Sequence, residues 1–221
     1  MKKIIVIVLI AGILTGFSGQ LFGQTNQDGS MPQYLFEDFG KSTVLMKNGQ
    51  VQTPLMNYNM ITGMMVFFRA EKYYDLMNPG MVDTVFLNDS RFIPVGKVFY
   101  EVIVSGPVSL FIQHTGSLLP AGKEVGYGGT SQVASTDQIS NITLSSGQYN
   151  LRLPPAYIVR VAPVLWIRRG DEMFSFENEK QFLKIFPGQE EHIKTFMKEN
   201  KLKVSRPADL TTIVKHLNAK K

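Results

Sequence analysis

Cysteine is absent from all 221 residues. That excludes disulfides, thiolate metal centres and an N-terminal lipid carried on a cysteine. Histidine is scarce, with His114, His192 and His216 only. No two of them stand at HxH or HExxH spacing, so the zinc-hydrolase pattern is missing. No GxSxG elbow, GxxxxGK[ST] loop or complete GxGxxG occurs, which removes the usual sequence support for serine hydrolysis and nucleotide binding. No run of basic residues carries interleaved aromatics, so the formal charge of +5 does not point to nucleic acid. Beyond the first residues no stretch of about 18 apolar residues exists, and no transmembrane helix is expected in the mature chain. The sequence implies no metal and no cofactor.

What is present begins with an export signal. Lys2 and Lys3 precede an apolar run from Ile4 to Ile13, and small and polar residues follow at Thr15, Gly16, Ser18 and Gly19. This is the order of a secretory signal peptide, and its core is shorter than the ~20 residues a membrane span needs. A signal over residues 1–23 is expected, cut after Gly23, with 24–33 a flexible leader. The protein is then exported, to the periplasm, the envelope or the exterior. Composition is that of a folded protein, 44% hydrophobic and 19% charged. A mature chain of roughly 200 residues can bury about 70% of its unfolded surface, so it needs no disulfide staples.

Strand signals recur at short spacing from residue 34. Asn48-Gly49 suggests a type I′ hairpin turn between Val44–Met46 and Val51–Tyr58. Ile61-Thr62-Gly63 turns into Met64–Phe68. Asn88-Asp89 suggests a hairpin between Val82–Leu87 and Arg91–Val95. Val98–Val104 and Val108–His114 follow. In the first of these Val98, Tyr100, Val102 and Val104 are expected on one face. Tyr149, Leu151 and Leu153 are expected to share another. Tyr157–Arg169 is interrupted by Pro163, as at an edge or bulge, and Phe174 and Phe176 close a last strand. Between 115 and 146 the alternation stops in a Gly-, Ser- and Thr-rich stretch. Structureless connections of that length are usually functional or disordered.

From Asn178 the period becomes helical. Phe182, Leu183 and Phe186 form one stripe, then Ile193, Phe196 and Met197, then Leu210, Ile213, Val214 and Leu217. The expected fold is mainly β with a C-terminal helical segment: an antiparallel meander forming a curved sheet, sandwich or small open barrel over 34–176, capped by about three short helices over 177–221.

Candidate site residues cluster at the long loop. His114 ends a strand at its mouth, beside Gln113, and Lys123 and Tyr127 lie within it. Tyr127 offers stacking, Lys123 an attraction for anions, and Gly126, Gly128 and Gly129 a close backbone approach. Glu101, among apolar strand residues, and Asp83, expected to face the same way as Val85 and Leu87, suggest a carboxylate pair for hydrolysis. An Arg or Lys such as Arg91 could equally neutralise each. The methionines Met56, Met60, Met64, Met65, Met77 and Met81 are read as core packing rather than a copper site.

The stretch Arg91-Phe92-Ile93-Pro94-Val95-Gly96-Lys97-Val98-Phe99-Tyr100-Glu101-Val102 resembles an uncharacterised family of exported proteins from Gram-negative bacteria. Leu55–Asn59, Val82–Val85, Tyr127–Ser131 and Lys180–Pro187 match it too. The resemblance implies an envelope location and a β region followed by a short helical tail. It implies no activity, ligand or catalytic residue.

The leading expectation is therefore a non-enzymatic exported binding or interaction module, whose partner is an envelope protein or a small apolar ligand. The alternatives are a carrier of lipid or other apolar ligand, with a cavity in an incomplete barrel whose mouth the helices cross, and a hydrolase using Glu101 and Asp83.

Overall fold

A computed structural model describes residues 31–120, 123–125, 129–131 and 157–219. The expected signal over 1–23, the leader up to residue 30, Tyr127 and the face of Tyr149, Leu151 and Leu153 lie outside the described residues.

Strand β1 (Gly40–Met46) leads into the short β2 (Val51–Gln52). A meander follows: β3 (Leu55–Asn59), β4 (Met64–Arg69) and β5 (Lys72–Asp75). A second meander comprises β6 (Val82–Leu87), β7 (Ser90–Val95), β8 (Val98–Val104) and β9 (Val108–Gln113). Then come β10 (Gly116–Pro120), β11 (Lys123–Val125), β12 (Gly129–Ser131), β13 (Tyr157–Val161), β14 (Val164–Arg169) and β15 (Glu172–Phe176). The main sheet has 11 antiparallel strands in the order β15-β14-β9-β8-β7-β6-β1-β3-β4-β5, with β2 beside β1. Its ends, β5 and β15, do not pair, so no barrel closes.

β1 makes the sheet fold over. Gly40 and Lys41 pair with β3, whereas Ser42 to Met46 pair with β6. The strand thus passes from one layer to the other, and β3–β5 lie against β6–β8. The contact is fixed by the Phe99 N–H donating to the Gly63 carbonyl and by the Tyr58 hydroxyl donating to the Phe99 carbonyl. Gly63 holds a positive φ of 70°, and a Cβ there would meet Val98 at 2.8 Å. Between the layers sits one core: Met56, Tyr58 and Met65 from the folded-over layer, and Val44, Val82, Val85, Leu87, Phe92 and Phe99 from the other. Burying each large apolar side chain contributes roughly 1.5–3 kcal/mol.

A second core forms where the helices dock. Helices α1 (Glu179–Lys184), α2 (Glu190–Glu199) and α3 (Pro207–Ala219) supply Phe182, Leu183, Ile193, Met197, Leu210, Ile213 and Val214. These pack on Val104, Leu110, Ile167 and Phe176 of the sheet. The three stripes expected from the 3.6-residue period are the faces that pack. Asn178 starts α1 by accepting from the Gln181 N–H, while the Gln181 side chain accepts from the Glu177 N–H, a reciprocal arrangement close to a capping box. The helices lie on β8, β9 and β15 and do not cross the mouth of an incomplete barrel, because their apolar faces complete this second core instead.

Several expectations need correction. The Asn48-Gly49 turn is not type I′: Gly49 alone has positive φ, and the Gly49 N–H donates to the Met46 carbonyl, as in a type I turn followed by a left-handed glycine. Gln33, at the end of the expected flexible leader, is buried, and its carbonyl accepts from the Met60 N–H. The stretch from 115 is not structureless at its start, since β10 pairs along its length with β13. Gly116 is there for close packing: a Cβ would meet Val159 at 3.0 Å and Ile61 at 3.3 Å. Pro163 separates two strands in different sheets rather than bending one.

Candidate functional site

One row of directly opposed residues crosses seven strands: Val44, Val85, Phe92, Glu101, Ile112, Leu165 and Phe176. Opposed residues share a face. The first three belong to the core between the layers, and the last two border the core under the helices. Glu101 is the one charged member, placed where the two cores meet. Its neighbours neutralise it. His114 Nε2 donates to Oε2 at 2.6 Å, and the Ser90 hydroxyl donates to Oε1 at 2.6 Å. The Glu101 and His114 side chains are 17% and 15% exposed, so solvent screens the pair only in part. Burial pushes the Glu101 carboxyl up. Hydrogen bonds from His114 and Ser90, with the electrostatic attraction of His114, outweigh it and hold the carboxyl below its ordinary range.

The His114 ring is walled by Tyr58, edge-on at 5.9 Å, and by Phe92 at 6.4 Å. The Tyr58 hydroxyl donates to the carbonyls of Phe99 and His114. Burial, with Tyr100 adding, pushes that phenol far above its usual range, so it stays a neutral donor. In this cluster the carboxylate, not the imidazole, lies between serine and histidine. The base beside Ser90 is thus the Glu101 carboxylate, and His114 does not reach the serine, so the order differs from a Ser-His-Asp relay.

The other expected site residues do not gather here. Gln113 ends β9 just before His114 and points to the opposite face, where its Oε1 accepts from Trp166 Nε1 at 3.1 Å. Trp166 in turn stacks on Tyr100. Lys123 lies in β11, paired with Ser131. Tyr127 lies outside the described residues. Asp83 does not share the face of Val85: the register slips between Leu45 and Met46, leaving Asp83 as the extra residue of a bulge. It is exposed and accepts from the Thr84 hydroxyl. Arg91 neutralises neither carboxylate, since its guanidinium donates to the Ser105 hydroxyl. A similar slip at Ile103 splits the expected face of β8: Val104 joins the core under the helices, while Tyr100 stacks on Trp166.

A cleft of about 540 Å³ opens where the folded-over sheet fails to close. Phe67 and Tyr74, stacked 5.5 Å apart, form one wall with Leu76. Val44, Met46 and Val82 form the other. Gln52, Arg69, Asp75 and Asn78 supply the polar part of the lining, and Met77, 67% exposed, stands at the edge. Met56, Met60 and Met65 are buried in the core, as expected; Met77 and Met81 are exposed. Of the cleft lining, the sequence places Val44, Met46, Phe67, Phe68 and Val82 in strands and Met77 among the methionines, but joins none of them into a site. Tyr74 and Leu76 were missed because β5 is four residues long and follows a turn with no glycine or asparagine.

Comparison of the chain with protein-family models, curated proteins and solved structures finds no match. Among the described residues no group of three or more His, Asp or Glu has metal-binding geometry, and no helix is long and apolar enough to cross a membrane.

Proposed function

We propose that this is a non-enzymatic exported binding protein that holds a small apolar ligand in the open seam of its sheet. The observation that carries the reading is the 540 Å³ cleft between the β4–β5 wall and the β1–β6 wall. Its size lies within the roughly 300–1,000 Å³ of small-molecule sites, and its lining has their character, aromatic and aliphatic with a few polar groups. The methionine at its wall and the one at its edge can adapt to ligands of differing shape. This favours the carrier over the interaction module, whose argument rested on the loop at 115–146. The paired-carboxylate hydrolase has less support, since Glu101 is engaged by His114 and Ser90 and Asp83 faces solvent.

The test is native mass spectrometry of the mature protein released gently from its own envelope. An added mass of lipid size, lost on denaturation, is expected. Leu76→Trp, which fills the cleft from a half-buried position, should abolish it while leaving the melting temperature near that of the parent. A bare chain that also fails to bind a fluorescent fatty-acid analogue would overturn the reading.

A further inference from the structure

The last two helices bring two histidines together. His192 is on α2 and His216 on α3, and their Nε2 atoms stand 3.3 Å apart. One imidazole can donate to the other across this gap, which is longer than the 2.7–3.2 Å of N–H···O bonds. The separation matches another geometry. Two imidazole nitrogens held 2.0–2.1 Å from a tetrahedral zinc ion lie about 3.3–3.4 Å apart. The His216 ring is also held in place, stacked on Phe196 with centroids 3.7 Å apart and planes 5° from parallel. His192 is exposed and His216 half-buried, so the pair lies at the surface.

We propose that His192 and His216 form a surface site for a divalent transition-metal ion of the zinc class, clamping α2 to α3. Neutral imidazole suits zinc, copper and nickel, whereas calcium and magnesium prefer oxygen. The pair supplies two ligands, and water completes the coordination. The consequence is structural. These helices hold the second core against the sheet through Ile193, Met197, Leu210 and Ile213, so an ion bridging them stabilises the folded chain in proportion to its occupancy. The site is remote from the cleft in the fold and does not depend on what the cleft holds.

The experiment uses tag-free mature protein stripped with a chelator and titrated calorimetrically with zinc chloride. One ion per chain is expected, with no heat from calcium. At a hundredfold excess over the dissociation constant the melting temperature should rise by roughly 5–10 °C. His192→Gln changes an exposed side chain, and His216→Phe keeps the stack on Phe196 while removing the ligand nitrogen. Each should abolish the zinc-dependent shift, read against that variant's own metal-free melting temperature. Absence of saturable binding, or binding that survives either substitution, would overturn the proposal.

Discussion

The Glu101 carboxylate of β8 accepts at 2.6 Å the Nε2 proton of His114, the residue that follows β9, on the sheet face that both hydrophobic cores use. A charge at that position is stabilising only while it is paired, because removing a partner leaves a buried polar group unsatisfied. Glu101→Gln should therefore cost about 1–3 kcal/mol at neutral pH. The sign with pH follows from the lowered folded-state carboxyl. Its contribution is fully present above the unfolded-state range and disappears as pH falls through the folded-state value. The gap between parent and variant in urea unfolding should shrink as the buffer is acidified through that window. A gap that is absent, or flat with pH, would show that the pair does not hold the two cores together.

One of the two-residue hairpin turns is made by residues poorly suited to it. Ala70 and Glu71 both have positive φ, 49° and 59°, between Arg69 and Lys72 of the β4–β5 hairpin. That is the type I′ conformation, which favours Asn-Gly. Each non-glycine residue there costs of order 1 kcal/mol. The double substitution Ala70→Asn, Glu71→Gly should raise stability by about 1 kcal/mol, a shift of roughly 2–4 °C in the melting temperature. A fall in melting temperature would mean that this hairpin is held in another conformation.

The same turn explains part of what the sequence could and could not convey. Hairpins marked by Gly63 or Asn88, and helices marked by a 3.6-residue apolar period, were legible because a local signal specified them. The β4–β5 hairpin was hidden because tertiary pairing imposes its turn on Ala70 and Glu71. Faces were misread at Asp83 and Val104 because each lies at a bulge, where one extra residue reverses the alternation. Glu101 stood out as a carboxylate among apolar strand residues, and His114 as a strand-end histidine. That they are each other's partner depends on register, which periodicity does not encode. The cleft depends on β1 passing between two layers, and no local pattern announces that.

Asn218 near the end of α3 treats the start of β9 as a strand neighbour. Its Oδ1 accepts from the Val108 N–H at 2.8 Å, and its Nδ2 donates to the Val108 carbonyl at 2.7 Å. One side chain thus satisfies both backbone groups of a residue 110 positions away. Asn218→Ala should lower stability by about 1–3 kcal/mol and speed hydrogen exchange at the Val108 amide. Unchanged exchange there would mean that water replaces the amide without loss, and that packing alone docks the helix.

Trp166 offers a check on where ligand binds, because it is the single tryptophan and lies on the opposite face of the sheet from both cores. It stacks on Tyr100 at 5.5 Å and donates to Gln113, and none of these residues lines the cleft. An apolar ligand entering between Phe67 and Val44 should leave Trp166 emission unchanged. Tyr74→Trp in a Trp166→Phe background places a reporter in the cleft wall. Its emission should shift to the blue on addition of a fatty-acid analogue, as water leaves the indole. A response from Trp166 with silence at position 74 would move the binding site to the outer face, where Gln113 lies.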